Sequence, residues 1–213
     1  MFVGTLTFSG MLLFGSILWA LLSESDSDRA LAAAAAIDGE PVEALSANHH
    51  SVIDLADLLR AAETGDADAQ YKLAIKNMDR HARTGEVEDL AEANRWFQEA
   101  SVQGHPRAQT ALGNAYLAGR GVVQDFTQAA NWFRQAAELG SSEAMYELGK
   151  MSRSGWGVEQ SLVEAYVWLN LASARGETRA RESRSQLISQ LTGEQLAEAQ
   201  ARSRELDASI PFY

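Results

Sequence analysis

The stretch that decides the fold is GRGVVQDFTQAANWFRQAAELG, residues 119–140. Its first four residues, two glycines around an arginine and then a valine, are compatible with two structures. One is a loop whose backbone amides cradle a phosphate before a helix, and the other is a turn that joins two helices. The first structure belongs to a nucleotide-dependent enzyme and the second to a helical scaffold.

Recurrence of the same residue types at a fixed interval favours the turn. The motif GRGV has a counterpart, GWGV at residues 155–158, one interval of 36 residues later. A phosphate loop would occur once, with a lysine and a hydroxyl nearby. Self-similarity at such a period is the signature of a repeat protein. The interval also relates Ala93, Ala129 and Ala165; Trp96, Trp132 and Trp168; Ala100, Ala136 and Ala172; and Gly104, Gly140 and Gly176.

Each repeat is predicted to form two helices. In the middle repeat, apolar residues recur at i, i+3, i+4 and i+7 over Pro106–Ala118 and again over Phe126–Leu139. Gly140 then stands where a helix end requires a left-handed residue. The three large tryptophans at the period are predicted to pack between helices.

Paired polar residues are predicted to start the second helices. Each pair places a capping side chain three residues before a Glu or Gln, as in a capping box. The tail is predicted to close with another such helix. The pairs are Asp89 with Glu92, Asp125 with Gln128, Ser161 with Glu164, and Thr192 with Gln195.

These residues resemble the Sel-1-like repeats, relatives of the tetratricopeptide repeats. The third repeat departs at Ser152 and Ser161, and the first at Ala74 and Asn77, with three extra residues before Gly85. The resemblance implies an all-α fold, a right-handed α/α superhelical solenoid of helix-turn-helix repeats. The middle repeat carries the motif at Ala108, Leu112, Gly113, Tyr116, Gly119, Gly121, Val122, Asp125, Ala129, Trp132, Ala136, Ala137 and Gly140.

The chain divides into five predicted segments. The repeats make up the largest, with boundaries near residues 67–104, 105–140 and 141–176. The segments are an N-terminal transmembrane helix (1–22), an acidic Ser/Ala-rich linker (23–50), a capping helix (51–66), the three repeats (67–176), and C-terminal capping helices with a tail (177–213).

The first 22 residues contain no charged side chain and are long enough to cross a membrane as a helix. A cleaved signal peptide is the alternative, but the run lacks a basic start and a clean A-x-A site. We therefore expect a single-pass anchor, with the soluble domain in the periplasm of a bacterium. The alternative orientation, with the domain facing the cytoplasm, is also compatible with the sequence. Flanking basic residues decide the orientation, and the nearest one, Arg29, follows an acidic cluster.

Composition restricts the possible activities. The net charge of −11 is unfavourable for binding nucleic acid. The absence of cysteine removes thiol catalysis and cysteine-ligated zinc. The four histidines show no metal-ligand spacing, so no cofactor or metal is expected. His105, just before Pro106, is interpreted as a solvated turn residue.

No catalytic motif is found: the chain lacks G-x-x-x-x-G-K-[ST], H-E-x-x-H and G-x-S-x-G. A branch of the family linked to β-lactam hydrolysis or binding is cysteine-rich, unlike this chain. Trp156, inside a G-x-G loop, is a candidate for an exposed contact residue. A secreted or periplasmic enzyme or ligand-binding protein stays open as an alternative function.

The leading hypothesis is a non-catalytic scaffold or adaptor of the bacterial cell envelope. It would bind a partner protein or peptide in the concave groove of the solenoid. The resemblance implies that first-helix positions outside the core line this groove. These are Tyr71, Ile75, Met78, Arg107, Thr110, Asn114, Leu117, Glu143, Tyr146, Lys150 and Arg153.

Overall fold

A computed structural model of the chain describes residues 49–211, with side chains from Leu55 onward. The predicted anchor of residues 1–22 and the predicted linker up to residue 48 lie outside the described residues. Within residues 49–211, no helix is long and apolar enough to cross a membrane.

The described part of the chain forms nine α-helices and no strand. Prediction and structure agree closely in the middle repeat, where the first helix has the predicted bounds and the second ends one residue earlier. The helices are α1 (His49–Glu63), α2 (Ala67–Thr84), α3 (Val87–Val102), α4 (Pro106–Ala118), α5 (Phe126–Glu138), α6 (Ser142–Ser154), α7 (Leu162–Ala174), α8 (Thr178–Ile188) and α9 (Gly193–Ser209).

Three helix pairs follow one another along the chain. The most extensive contacts are within the pairs, α2 with α3, α4 with α5, and α6 with α7. Each second helix also packs on the first helix of the next pair, α1 packs on α2, and both α8 and α9 pack on α7. The fold is therefore the predicted all-α solenoid of helix-turn-helix repeats, closed by further helices at each end.

The repeated apolar residues form the core. Trp96 and Trp168 are buried, and Trp132 is partly buried against the core cluster formed mainly by the first repeat. Alanines at the period, such as Ala136 and Ala172, are fully buried and let the helices approach closely. Gly113 has the same role, since a Cβ there would lie 2.5 Å from the ring of Phe133.

The glycine pair at residues 119 and 121 is a turn. Gly121 has φ 68° and lies so close to α3 that a Cβ would be 2.7 Å from Cβ of Leu90. Asn94 of α3 donates a hydrogen bond to the carbonyl of Arg120 at 2.8 Å. The amide of Asp125 donates to the carbonyl of Tyr116 at 3.0 Å and closes the loop. The loop therefore joins two helices and locks them onto the preceding repeat.

Three of the four predicted caps are confirmed. Asp125 accepts from the amide of Gln128 at 3.0 Å, and Ser161 accepts from the amide three residues on at 3.2 Å. Thr192 and Gln195 form the predicted reciprocal capping box.

The predicted cap at Asp89 is wrong. Helix α3 begins at Val87, two residues before Asp89, so Asp89 falls within its first turn. There the Asp89 side chain is buried and forms an ion pair with Arg80 of α2. The reason is the length of α2, which continues to Thr84 and leaves only Gly85 and Glu86 to connect the two helices.

Candidate interaction groove on the first helices

The first helices of successive repeats lie side by side, and a groove of about 830 Å³ runs between them. Residues from α2, from α4, from the turn between α5 and α6 and from the start of α6 line it. They combine aromatic, charged, amide and hydroxyl groups. The lining residues are Tyr71, Pro106, Arg107, Thr110, Ala111, Asn114, Leu139, Gly140, Ser141, Ser142 and Glu143.

Five of the eleven predicted partner-binding residues line this groove. Arg107 and Glu143 are exposed, whereas Tyr71 and Asn114 are half-buried. Asn114 donates a hydrogen bond to Glu143 at 3.2 Å and so joins the second repeat to the third. The fifth, Thr110, is buried.

Thr110 is already occupied by contacts inside the protein. Its hydroxyl lies 2.9 Å from the carbonyl of Pro106 and 3.0 Å from the hydroxyl of Ser141. It therefore belongs to the floor of the groove.

The other six predicted residues lie outside the groove. Ile75 and Met78 pack against the core cluster formed mainly by the first repeat. Leu117 and Tyr146 pack against the other core cluster, which extends from α5 to the C-terminal helices. These four are partly buried, so part of each side chain reaches the surface. Their main contacts are apolar contacts within the domain.

Lys150 and Arg153 complete the predicted set in the third repeat. Lys150 forms an ion pair with Glu147 at 2.7 Å, and its ammonium lies 5.3 Å from the ring of Tyr146. Arg153 is half-buried near the end of α6, and its carbonyl accepts a hydrogen bond from Gln160 at 3.0 Å. These residues extend the first-helix surface beyond the groove.

His105 is not the solvated turn residue that the sequence suggested. Its ring stacks on Tyr71 with 4.7 Å between centroids, and its side chain is only 11% exposed. Nδ1 accepts a hydrogen bond from the amide of Ala108 at 3.2 Å and caps α4. In the neutral ring Nε2 then carries the proton and donates to Asp68 at 3.0 Å. His105 thus joins the first two repeats at the edge of the groove, and its position just before a proline at N1 was the signal for a cap.

Arg179 is a surface residue that sequence reasoning missed. Its guanidinium lies 4.6 Å from the centre of the Tyr146 ring. Two hydrogen bonds, at 2.9 and 2.8 Å, join it to Glu177, the N-cap of α8. These bonds raise the pKa of Arg179 and hold the pKa of Glu177 below its usual range. Extending the repeat register into α8 would have found it, since it stands 36 residues after Glu143.

Trp156 is exposed, as its place in the loop suggested, with 53% of its surface accessible. Its ring stacks on Phe126 of the preceding repeat, with 5.4 Å between centroids. It lies in the loop between α6 and α7 and is not among the residues that line the groove.

The groove offers charged, hydrogen-bonding and aromatic groups that can contact a ligand. Its lining contains one arginine, one glutamate, one asparagine and the hydroxyl groups of Tyr71, Thr110, Ser141 and Ser142. Across the described residues, no group of three or more His, Asp or Glu side chains could hold a metal ion.

Comparisons with known proteins agree with the fold. No curated protein matches the chain significantly. A protective antigen present in uropathogenic Escherichia coli strains, whose crystal structure displays an SLR fold, is 33% identical with a TM-score of 0.68. The match covers 93% of this chain, which spans 40% of the length of that antigen. A Sel1 repeat protein from Oxalobacter formigenes is 37% identical with a TM-score of 0.56, over 62% of this chain and 98% of that one.

The family assignment comes from the repeats themselves. The family model described as Sel1 repeat matches three times, at residues 67–105, 106–141 and 142–177. Together these matches cover more than half of the chain. The chain therefore belongs to the Sel1 repeat family, whose members are generally protein-interaction scaffolds.

Proposed function

We propose that this protein is a non-catalytic scaffold of the bacterial cell envelope that binds a segment of a partner protein along its first helices. The observation that carries the proposal is the groove of about 830 Å³, which spans the first, second and third repeats. Stacked helix pairs create extended surfaces that suit protein segments.

The lining of the groove supports a peptide as its ligand. Tyr71 offers an apolar ring face, Arg107 and Glu143 offer charges of both signs, and Asn114 offers an amide. Such a mixture fixes the orientation of a peptide backbone and distinguishes its side chains. Because the charged groups are exposed at the rim, they contribute to specificity and association rate more than to affinity.

The place of the protein in the cell is part of the proposal. The uncharged residues 1–22 support a single-pass anchor, with the repeats on the periplasmic side. Protease added to spheroplasts should degrade the repeats, and the intact mass of the mature protein should include residues 1–22. Protection from protease would indicate a cytoplasmic domain, and a mass lacking these residues would indicate a cleaved signal.

The binding surface is tested by substitution. Crosslinking of the full-length protein in its native membrane, followed by mass spectrometry, first identifies the partner. We expect the combined change Tyr146→Ala, Lys150→Ala and Arg153→Ala to abolish pull-down of that partner without unfolding the domain. Arg107→Glu should weaken it as well, by reversing a charge in the groove.

Arg134→Glu is the matched control, since Arg134 is exposed on α5, a second helix outside the groove. It should leave the pull-down unchanged. Retention of the partner by both first-helix variants, with circular dichroism showing folded protein, would refute binding on this surface.

A further inference from the structure

The first helices carry a pattern with a period of two repeats. The fifth residue of these helices is Tyr71 in α2, Thr110 in α4 and Tyr146 in α6. The second residue alternates in charge over four helices, from Asp68 and Arg107 to Glu143 and Arg179. The tyrosines therefore lie on α2 and α6, and the arginines lie on α4 and α8.

This pattern places an arginine against each tyrosine of the preceding repeat. The guanidinium of Arg107 lies 6.0 Å from the centre of the Tyr71 ring, and that of Arg179 lies 4.6 Å from the Tyr146 ring. We name these the first and second Tyr–Arg pairs. A guanidinium within about 6 Å of an aromatic centroid is attracted by the ring. The same unit is therefore built twice on one surface.

Neighbouring side chains support each tyrosine. The stacked ring of His105 lies against Tyr71, and Phe97 lies 5.8 Å from it. Lys150 lies beside Tyr146 and adds a second positive charge to that pair. Each ring is thus held by more than one neighbouring side chain, as a binding surface requires.

Both arginines retain hydrogen-bond donors for a ligand. Arg107 is exposed and has no carboxylate partner among the described residues. Arg179 is 53% exposed, and its bonds to Glu177 use Nε and Nη2, which leaves Nη1 without a partner in the described structure. Each guanidinium can therefore donate to a carboxylate while the tyrosine ring contacts an adjacent apolar side chain.

We propose that the two Tyr–Arg pairs bind two acidic side chains of one extended peptide, each next to an apolar residue. This inference rests on the proposed function and names the chemistry of the partner segment. Packed helices lie about 10 Å apart, so two repeats separate the pairs by about 20 Å. An extended chain advances about 3.3 Å per residue, which sets the two acids roughly six residues apart.

The middle of the peptide must be neutral or basic. Glu143 lies on the helix between the two arginines, where it is exposed and hydrogen-bonded only to Asn114 among the described residues. A third acid opposite Glu143 would meet a like charge, which disfavours the wrong partner. The surface therefore distinguishes a peptide with two spaced acids from a uniformly acidic one.

A displayed library of randomised twelve-residue peptides tests this directly. The full 213-residue chain, held in a mild detergent, is the bait. We expect enriched peptides to carry two Asp or Glu residues roughly six positions apart. The strongest are then synthesised with a fluorescent label, and their dissociation constants are measured by anisotropy.

Substitutions then assign each acid to its arginine. Arg107→Gln and Arg179→Gln should each weaken binding about tenfold, the loss expected for one charge-assisted hydrogen bond. Replacing one acidic residue of the peptide by its amide should weaken binding to the native chain by a similar factor. With that peptide, one of the two arginine variants should bind as well as the native chain, and the other should still bind about tenfold more weakly. The amide-substituted peptides can be measured on the native chain alone, so the role of each acid is tested even if an arginine variant folds poorly.

Arg95→Gln is the matched control. Arg95 lies 4.1 Å over the ring of Trp96, so it has the same chemistry, but it stands on α3, a second helix. It should leave peptide affinity unchanged. Enriched peptides without paired acids, no enrichment at all, or affinities insensitive to both arginine variants, Arg107→Gln and Arg179→Gln, would each overturn the inference. The proposed scaffold function would stand in those cases if the Tyr146, Lys150 and Arg153 variant still loses the crosslinked partner.

Discussion

Asp89 accepts a hydrogen bond from Nε of Arg80 at 2.7 Å and another from the hydroxyl of Thr84 at 3.2 Å. In the next two repeats the same register position, Asp125 and Ser161, caps a helix. One position in the repeat thus has two roles, and the length of the preceding helix decides between them. Helix α2 has 18 residues and reaches the second helix directly, whereas α4 has 13 and needs the glycine loop.

The two roles differ in energy. Asp125→Ala should lower the free energy of unfolding by about 1 kcal/mol, the usual effect of a lost cap. Asp89→Ala should lower it by about 3 kcal/mol, because it removes one partner of a buried ion pair. Urea unfolding of both variants measures the difference. Equal losses of stability would show that the ion pair with Arg80 contributes no more than a cap does. Adding Arg80→Met to the Asp89→Ala variant should recover part of the lost stability, because it removes a buried charge that has lost Asp89 as its partner.

Gly113 lets the two helices of its repeat pack closely because it has no side chain. Gly113→Ala should destabilise the protein by about 1–3 kcal/mol, because the added methyl meets the fully buried ring of Phe133. Gly193→Ala is the matched control, since nothing lies within 4 Å of a Cβ at this helical glycine. Thermal unfolding should show a lower midpoint for G113A and an unchanged or higher one for G193A. The opposite order would contradict the close packing of α4 on α5.

Some loop glycines are required for two reasons, a positive φ and a close approach of neighbouring backbone that leaves no room for a Cβ. Gly157→Ala places a methyl against the backbone of Phe126, whereas Gly104→Ala meets nothing within 4 Å at a similar φ of 81°. G104A therefore reports backbone strain alone, about 1 kcal/mol. G157A should cost about 1–3 kcal/mol more, because two pieces of backbone cannot both stay in place. Urea titrations measure both variants, and equal losses would show that the loop moves freely away from α5.

His105 is expected to contribute both a cap and a stacked ring. His105→Asn retains a side chain that can cap α4, so it should cost less than His105→Ala, which loses both contacts. We expect H105A to lower the free energy of unfolding by about 1–2 kcal/mol and H105N by about half as much. Urea unfolding checks the order. In addition, both variants should weaken binding of the selected peptide by loosening Tyr71.

The lowered pKa of Glu177 predicts a pH-dependent contribution to stability. Because the folded-state pKa of Glu177 lies below the usual carboxyl value of 4.5, the contact with Arg179 stabilises the fold above that pH and is lost as the pH falls through the lowered pKa. Glu177→Gln should therefore destabilise the protein at pH 7, by about 1 kcal/mol, because the guanidinium of Arg179 is half-exposed and solvent screens the pair. The difference from the native chain should shrink as the pH falls below 4.5 and through the lowered pKa of Glu177. Urea unfolding at pH 7 and again at a pH below the lowered pKa measures this difference in free energy. The difference should also shrink in an Arg179→Gln background.

Much of the fold follows from local features of the sequence. The bounds of α4, the caps at Asp125 and Ser161, and the box at Thr192 were predictable because each depends on residues within one or two turns. The period of the tryptophans and alanines likewise indicated stacked pairs. The eleven predicted groove residues stay a prediction as a binding set, although five of them line one cavity.

The site was less predictable, because its geometry joins residues on different helices. His105 reaches Asp68 and Tyr71 across 37 and 34 positions of the chain, and Arg179 reaches Tyr146 across 33. No local rule of spacing or propensity relates residues that far apart.

The sequence by itself determined the paired helices of the repeats, their order and the caps at Asp125, Ser161 and Thr192, since these depend on short-range hydrogen bonding and apolar periodicity. Tertiary structure alone decided that Asp89 pairs with Arg80 instead of capping α3, and that Thr110 lies buried in the floor of the groove. It also brought each arginine to the tyrosine of the preceding repeat. These outcomes depend on how far and at what angle neighbouring helices pack, which is set by the side chains of all the helices together.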